Sequence, residues 1–293
     1  MFSFRVDAAQ VAVRLRYFAP PEPLRAFFGS LYIFSVSAAP YADVTRADLP
    51  QLRFMLDGGG DYHFSGGTRM APFKVSLLGP TLGATRFVLD RPTKVVGISL
   101  LPAGWIALHG GDASGHADRL YDMTADRGDA GYAALLDRLR TMDAADAIAA
   151  ACWAFLEARL PTLPDLLWRR LEAVDAWLMG EASPRIETLA AATGLSCRQL
   201  ARLTNRYYGA PPKLLARKYR ALRCSARIAI DRENWQSLCD NGTFYDQSHF
   251  IREIKHFIGL TPHQLLHEPS AVAQLTLLRR SLGADVAVLN RLS

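Results

Sequence analysis

Two copies of one short pattern, a helix followed by a tight turn and a second helix, lie between Ser183 and Pro262. They constrain the fold of this chain more than any other feature. A long basic segment, residues 213–230, separates the two copies. Two helices joined by a short glycine-containing turn are typical of DNA-binding proteins, in which the second helix lies in the major groove. The pattern therefore predicts an all-helical DNA-reading module in the last third of the chain.

The first helix of the first copy has predictable ends. Ser183 is the expected N-cap, and Pro184 fits the first helical position, where its missing amide costs no hydrogen bond. Gly194 is expected to end this helix, because the left-handed backbone of a tight turn strains any residue with a Cβ. The expected buried side of the helix is Ile186, Leu189 and Ala190.

The second helix of the first copy is the expected DNA-reading helix. Ser196 and Gln199 have the spacing of a capping box, which predicts a helix that starts at Cys197. Its predicted buried stripe is Leu200, Leu203 and Tyr207. The outward residues, which are predicted to bind DNA, are Arg198, Gln199, Arg202 and Arg206.

The second copy repeats the design. A turn at residues 241–243 should join two helices, Asp246 should cap the second of them, and Gly259 and Pro262 should end it. The predicted buried residues are Leu238, Cys239, Phe250, Ile254 and Phe257. Those predicted to bind DNA are Gln247, Ser248, His249, Arg252 and Lys255, whose side chains can donate to base edges or phosphates.

Both copies share individual residues with one known domain. In the first copy these are Leu189, Ala190, Gly194, Leu195, Ser196, Arg198, Leu200 and Arg202. In the second they are Phe244, Asp246, Gln247, Ser248, His249, Phe250, Arg252, Lys255, Gly259, Thr261 and Pro262. With these residues the segment resembles the DNA-binding domain of the AraC/XylS family of bacterial transcription regulators. The sequence departs from that family at Thr204 and Ile254, where phenylalanine is usual, and at Thr243, where glycine is usual.

The charge of the chain is unevenly distributed. Residues 1–167 hold 16 Lys and Arg against 17 Asp and Glu, whereas residues 168–293 hold 18 against 11. A basic half beside a nearly neutral half is expected when only one domain binds nucleic acid. The resemblance implies double-stranded DNA as the partner, with RNA polymerase and a second copy of the chain as further partners.

The cysteines and histidines do not predict a metal site. Cys152, Cys197, Cys224 and Cys239 contain no C-x-x-C spacing, so neither zinc nor structural disulfides are expected. The histidines of the first half, His63, His109 and His116, lack the H-x-H spacing of metal-binding cupins. No catalytic residues, cofactor or metal are predicted.

The first half is predicted to be rich in strands. Short apolar or alternating runs separated by glycine and proline indicate a small sandwich or barrel. These runs are Leu52–Leu56, Tyr62–Phe64, Phe73–Leu78, Thr85–Leu89 and Val95–Leu101. Residues 24–36 suggest a helix that leads into a strand. Four short motifs carry a resemblance: Leu49-Pro50, Leu78-Gly79-Pro80, Val96-Gly97-Ile98 and Pro102-x-Gly104. With them this half resembles the cupin-like domain found ahead of the DNA-binding module in some AraC-type regulators, so the expected fold class is α+β.

Aromatic residues of this region raise two alternatives. Phe54, Tyr62, Phe64 and Trp105 can line a ligand cavity for a small-molecule effector, or they can fill the interior of a small barrel. The sequence does not decide between them.

Four segments are expected along the chain. They are a β-rich sensory domain over residues 1–126, a helical linker or dimerisation region over 127–166, the DNA-binding domain over 167–268, and a helical tail over 269–293. The tail either packs on the DNA-binding domain or lies loose, with Gly283 as its weak point.

Three functions fit these features. The first is a sequence-specific transcription regulator with an N-terminal sensor for a small molecule. The second is an enzyme that carries the same DNA-binding module, although the chain lacks the cysteine set of alkyl-damage repair proteins. The third is a DNA-binding protein that responds to no ligand. With no uninterrupted apolar segment at its N-terminus, the protein is expected in the cytoplasm and not in a membrane.

Overall fold

The computed structural model describes residues 2–8, 11–125, 130–180, 184–239 and 244–292. Within these ranges no helix is both long and apolar enough to cross a membrane. The fold is α+β, with two antiparallel sheets in the first half and helices from residue 102 onward. This confirms the predicted class. The two sheets face each other without closing into a barrel, so the N-terminal domain is a sandwich.

The larger sheet has seven strands in the order β1-β2-β3-β10-β5-β8-β11, and the smaller has four in the order β4-β9-β6-β7. Their bounds are β1 Phe2–Ala8, β2 Val11–Phe18, β3 Phe28–Val36, β4 Tyr41–Thr45, β5 Gln51–Asp57, β6 Gly60–His63, β7 Arg69–Met70, β8 Val75–Leu78, β9 Thr85–Leu89, β10 Thr93–Leu100 and β11 Leu120–Asp122. Strand β9 alternates between buried and exposed residues, as expected for a strand with one face in the core. Strand β10 lies between β3 and β5 and is almost entirely buried.

The helices follow the strands in the chain. Their bounds are α1 Pro102–Leu108, α2 Ala130–Arg140, α3 Ala145–Glu157, α4 Asp165–Met179, α5 Ile186–Thr193, α6 Cys197–Tyr208, α7 Pro212–Ala229, α8 Trp235–Cys239, α9 Gln247–Ile258, α10 Pro262–His267, α11 Ala271–Leu277 and α12 Val288–Leu292. A 3-10 segment, Leu278–Asp285, joins the last two helices and bends at Gly283, whose φ is 57°. The predicted weak point of the tail is therefore a bend.

The first 36 residues differ from the prediction. Strands β1 and β2 form a hairpin that the sequence reading left out, and residues 28–36 are a strand, where a helix leading into a strand was expected. The helical part reduces to the single 3-10 turn Glu22–Leu24. The helical part of the prediction was wrong because β3 lies between β2 and β10 with nearly all its residues buried, so its sequence lacks the alternation that marks a half-buried strand.

The tail packs on the N-terminal sandwich as well as on the helical domain. Helix α11 contacts β1, β2 and β4, while α12 contacts α4 and α7. Val272, Leu275 and Leu282 are buried with Leu15 and Phe87 in the core between the sheets. The tail is therefore not loose. It packs on the sandwich as well as on the helices of the C-terminal half.

Candidate DNA-binding surface and effector cavity

The start of helix α5 differs from the prediction. The N-cap is Arg185 and the helix begins at Ile186, so Pro184 precedes the helix and is not its first residue. Ser183 lies outside the described residues. The carbonyl of Arg185 accepts hydrogen bonds from the Trp177 indole at 2.8 Å and from the Thr188 hydroxyl at 2.6 Å. These contacts explain why the helix starts at this point.

The turn between α5 and α6 forms as the sequence predicts. Gly194 adopts the left-handed conformation with φ of 66°, and its amide bonds to the carbonyl of Ala190. Ser196 and Gln199 form the expected capping box. The Ser196 amide donates to Gln199 Oε1 at 2.9 Å, and the Gln199 amide donates to Ser196 Oγ at 3.3 Å. Helix α6 therefore starts at Cys197, and its first turn is firmly capped.

The buried stripe of α6 differs from the prediction at two of its three positions, each of which lies one residue later in the chain. Leu200, Thr204 and Tyr208 are buried, whereas Leu203 and Tyr207 are half-buried. Both sets have helical spacing, and tertiary contacts select between them. The Tyr208 hydroxyl donates to Asp175 Oδ1 at 2.6 Å and lies 3.0 Å from the carbonyl of Leu171. These bonds fix the last turn of α6 on α4.

The contact between Tyr208 and Asp175 predicts a pH dependence of stability. Burial raises the pKa of Asp175 from 3.8 to about 7; the hydrogen bond from Tyr208 opposes this rise, and the charge of Glu172 adds to it. The folded state therefore binds a proton that the unfolded state lacks between about pH 4 and 7. We expect the free energy of unfolding to fall as the pH rises through this window, and Asp175→Asn to remove this contribution. Denaturant unfolding at pH 4, 5.5 and 7 measures both, and equal slopes in the two proteins would contradict the assignment.

Helix α9 is capped at both ends as predicted. Asp246 Oδ1 accepts from the His249 amide at 2.6 Å, and Gly259 ends the helix with φ of 87°. The predicted core residues Phe250, Ile254 and Phe257 are fully buried. The predicted turn at residues 241–243 lies outside the described residues. Pro262, expected after the end of the element, is the first residue of α10, with Thr261 as its N-cap.

One charged residue of α9, Glu253, is not among the residues predicted from the sequence to matter in this helix. The Glu253 side chain is 6% exposed, and it binds Arg217 of α7 through two hydrogen bonds of 2.7 and 3.0 Å. The guanidinium of Arg220, which is also in α7, lies 4.0 Å from the Glu253 carboxylate. Burial alone would raise the pKa of Glu253, but its bonds to Arg217 hold it below the ordinary value. This ion pair links α9 to α7.

The residues predicted to bind DNA lie on the surface. His249 is half-buried, its Nδ1 lies 3.3 Å from the Tyr245 amide, and its Nε2 lies 4.0 Å from Glu253. The exposed residues are Arg198, Gln199, Arg202, Arg206, Gln247, Ser248, Arg252 and Lys255. On Gln199 the side-chain oxygen already serves the capping box. DNA contact by these residues remains a prediction.

Both candidate recognition helices, α6 and α9, end against the N-terminal domain. A Cβ on Gly209, which caps α6 with φ of 82°, would come within 2.2 Å of Pro80 Cγ. A Cβ on Gly259 would come within 2.4 Å of Val44 and 3.1 Å of Ala84. Glycine is thus needed at both helix ends for the backbone angle and for close approach. Pro80 and Ala84 belong to one connection, residues 79–84 between β8 and β9.

Backbone hydrogen bonds and one buried lysine strengthen this contact. The Ala84 amide donates to the carbonyl of His256 at 2.8 Å, and the Ala47 amide donates to the carbonyl of Phe257 at 2.6 Å. Lys218 of α7 is 3% exposed, and its Nζ donates to the carbonyls of Asp48 and Thr81 at 2.6 and 3.0 Å. Burial lowers the pKa of Lys218 to about 8, against the opposing charges of Asp48 and Asp118.

A cavity of about 70 Å³ lies between the two sheets. Most of its surface is apolar. It is lined by Leu15, Tyr17, Tyr32, Phe34, Thr45, Arg46, Asp48, Gln51, Arg53, Tyr62, Leu78, Thr81, Thr85, Phe87, Leu89, Thr93, Val95, Val272, Leu275, Thr276 and Arg279. We call this space the effector cavity. Several of its polar side chains are hydrogen-bonded to one another. Tyr32 donates to Gln51 at 2.6 Å, and Gln51 donates to Asp48 at 2.9 Å. Convergent polar groups in an apolar cavity are typical of small-molecule sites.

Of the four residues predicted to line a ligand cavity, one lies in the wall of the effector cavity. Tyr62 lines the effector cavity. Phe64 is buried in the same core between the sheets, but it does not line the cavity. Phe54 and Trp105 are fully buried in the other core, where the large sheet meets the helices. Ligand binding by these residues remains a prediction. The charged residues of the cavity are not among those predicted from the sequence to bind a ligand.

The four cysteines have different exposures in the structure. Cys152, Cys224 and Cys239 are buried, and Cys197 at the start of α6 is exposed. All four are free thiols. Across the described part of the chain no cluster of three or more metal-ligating side chains occurs.

A family model described as a helix-turn-helix domain matches residues 189–268. Among solved structures, ToxT from Vibrio cholerae is 11% identical, with a TM-score of 0.45 over 82% of this chain and 98% of that chain. ToxT from Vibrio cholerae O395 bound to (E)-4-(8-methylnaphthalen-1-yl)but-3-enoic acid is 10% identical, with a TM-score of 0.44 over 80% of this chain and 96% of that one. The AraC-like transcriptional activator CuxR is 13% identical, with a TM-score of 0.33 over 77% and 86%. No curated protein matches the chain in sequence.

The range matched by the family model covers the helices that form the two units in the structure. Helices α5 and α6 form one capped helix-turn-helix unit, and α8 and α9 supply the helices of a second. Helix α7 joins the two units, and the matched range begins at Leu189 in α5 and ends just after α10. The C-terminal part of this chain is therefore a helix-turn-helix domain of the AraC type.

Proposed function

We propose that the protein is a sequence-specific transcription regulator whose DNA affinity is controlled by a small molecule bound in the effector cavity. One observation carries this proposal. The connection between β8 and β9 places Thr81 in the cavity wall, while its neighbours Pro80 and Ala84 contact the ends of α6 and α9. Thus a single short segment touches the ligand space and both candidate recognition helices. A second copy of the chain and RNA polymerase are the further partners that this role implies.

The coupling has a direct physical basis. A ligand that contacts Thr81 favours one arrangement of the connection, and the hydrogen bond from Ala84 to His256 transmits that arrangement to α9. A ligand shifts an equilibrium only by its differential affinity for the two states, which for allosteric proteins is typically about 1–3 kcal/mol. The same factor must act in reverse, so operator DNA must change the affinity for the ligand. The proposed use of the cavity is binding and not catalysis.

The DNA-binding part of the proposal is tested by footprinting. Sites are first selected from random duplexes with the full-length protein, and the best site is then probed for major-groove protection. We expect one chain to protect two successive major grooves on one face of the duplex, about 34 Å apart. Protection of one groove per chain would contradict the use of both units. No selected site at all would contradict sequence-specific binding.

Arg202 and Arg252 are expected to read bases. Both are exposed on the candidate recognition helices, and a bidentate arginine contact to guanine contributes about 1–3 kcal/mol of discrimination. Arg202→Ala or Arg252→Ala should therefore weaken binding to the selected site by about that amount and affect random DNA much less. Fluorescence anisotropy with both duplexes at one salt concentration measures the difference. Arg138→Ala, an exposed arginine on α2, is the matched control, and equal losses on both duplexes would reassign the tested arginine to phosphate contact.

A further inference from the structure

Tyr245 is an aromatic residue whose ring lies in water. It is 93% exposed, whereas every other Phe, Trp or Tyr whose burial the structure describes is buried or half-buried. An aromatic ring has a large apolar surface, and its removal from water is favourable. Tyr245 directly precedes Asp246, the N-cap of α9. The exposed ring therefore lies at the start of a candidate recognition helix.

Contacts of the neighbouring residues hold Tyr245 in this position. Phe244 is 7% exposed, and its ring packs edge-on against that of Phe250, with 4.8 Å between the centroids. The guanidinium of Arg220 lies 4.6 Å from the centre of the Phe244 ring. The Tyr245 amide donates to His249 Nδ1 at 3.3 Å. Because Phe244 occupies the core position beside α9, the next residue along the chain points to solvent.

Two of the residues predicted to bind DNA follow Tyr245 closely. Gln247 is the first residue of α9, Ser248 is the second, and both are exposed. In helix-turn-helix proteins the N-terminal residues of the recognition helix contact base edges in the major groove. A side chain that directly precedes the N-cap enters the groove together with those residues. We therefore expect the Tyr245 ring to meet DNA beside Gln247 and Ser248.

DNA offers a tyrosine two kinds of contact at this place. Phosphate oxygens accept a hydrogen bond from the hydroxyl group, and the 5-methyl group of thymine packs against apolar surface. The exposed carboxylate of Asp246 belongs to the next residue in the chain. Its negative charge repels a phosphate that approaches the Tyr245 hydroxyl, but it does not act in this way on a methyl group. The charge at the start of α9 therefore favours the contact between the ring and a thymine.

We propose that Tyr245 is a base-reading residue whose ring packs against the 5-methyl group of a thymine in the major groove that α9 enters. The contact selects a T·A pair, because thymine is the base that carries a methyl group in this groove. Tyr245 is not among the residues predicted from the sequence to bind DNA. This inference rests on the proposed function, because it names one feature of the DNA site that the regulator recognises.

Exchange of thymine for deoxyuridine tests the contact, because it removes only the methyl group. Each thymine of the selected duplex is replaced in turn, and the Kd of the full-length protein is measured by fluorescence anisotropy at one salt concentration. We expect one position at which the exchange weakens binding by about fourfold, the effect of burying one methyl-sized group. In Tyr245→Ala the exchange at that position should have no effect. Equal losses in both proteins, or no position with a loss, would overturn the proposal.

Two variants separate the role of the ring from that of the hydroxyl group. Tyr245→Phe keeps the ring and should bind the selected duplex as tightly as the parent protein, whereas Tyr245→Ala should bind it about tenfold more weakly. If Tyr245→Phe lost as much affinity as Tyr245→Ala, the hydroxyl group would be the contact and the methyl assignment would be wrong. The control is Val88→Ala, an exposed apolar residue of β9, which should bind DNA and respond to the exchange like the parent protein.

Selection from random duplexes gives an independent result. Tyr245→Ala should keep the Tm of the parent protein, because the ring that it removes lies in water. The sites that it selects should lose the preference for T·A at one position and keep the preferences at the others. An unchanged preference at every position overturns this inference alone. Failure of the parent protein to select any site overturns the proposed function.

Discussion

Asp48→Asn is expected to lower the free energy of unfolding by about 3–5 kcal/mol, the usual result of removing one partner of a buried ion pair. The Arg279 side chain is 2% exposed and that of Asp48 is 12% exposed. Burial alone would raise the pKa of Asp48, but the charge and hydrogen bonds of Arg279 hold it below the ordinary value. The variant would leave a guanidinium buried without its carboxylate, so most of the loss comes from that isolated charge.

A double variant tests this explanation. Asp48→Asn combined with Arg279→Met removes both charges and should recover a large part of the lost stability, since a buried ion pair can be replaced by apolar packing at little cost. Urea unfolding measures all three proteins. The control is Asp61→Asn, which breaks the exposed pair with Arg69 and should leave the free energy of unfolding nearly unchanged, because water screens an exposed ion pair. If the double variant were as unstable as Asp48→Asn alone, the charge argument would be wrong.

Glu253→Gln is expected to lower the free energy of unfolding by about 2–3 kcal/mol and to weaken specific DNA binding by about tenfold. The expected loss of stability is smaller than for Asp48, because the Arg217 side chain is 42% exposed and can return to water. Arg220, whose side chain is 14% exposed, would lose the charge of Glu253, which lies 4.0 Å from it. Because the ion pair fixes α9 on α7, its loss should also disturb the spacing of the two candidate recognition helices.

The control for Glu253 is Glu187, an acidic residue that is not part of the ion pair between α7 and α9. Glu187 is 72% exposed and lies 3.6 Å from Arg185, so Glu187→Gln should change stability by less than about 0.5 kcal/mol. Both variants should be measured by urea unfolding and by anisotropy on the selected duplex. Similar behaviour of the two would show that the buried pair does not position α9.

The ends of the helices in the DNA-binding domain could be predicted because their causes are local. A capping box joins Ser196 to Gln199 within one turn, and Asp246 caps α9 through the amide of His249. Glycine at the left-handed end of a helix, as at Gly194 and Gly259, needs only its own backbone angle as an explanation. Such features are present in any short window of sequence.

The buried stripe of α6 shows where local information stops. Leu203 with Tyr207, and Thr204 with Tyr208, are both compatible with a helical stripe that includes Leu200. The choice depends on Asp175 in α4, which accepts the Tyr208 hydroxyl from 33 positions earlier in the chain. Helical periodicity therefore predicted a buried face but left its centre uncertain by one residue.

The effector cavity and the packing of residues 271–292 were decided by tertiary structure. The spacing of apolar residues after Pro269 predicted helical structure, but nothing in that spacing distinguishes the buried Arg279 from the exposed Arg280. Arg279 is buried because it meets Asp48, which lies 231 positions away and comes close only when residues 271–292 pack across the two sheets. By itself, then, the sequence determined the capped helices, whose partners lie within one turn, whereas long-range packing alone brought the charged wall of the cavity together.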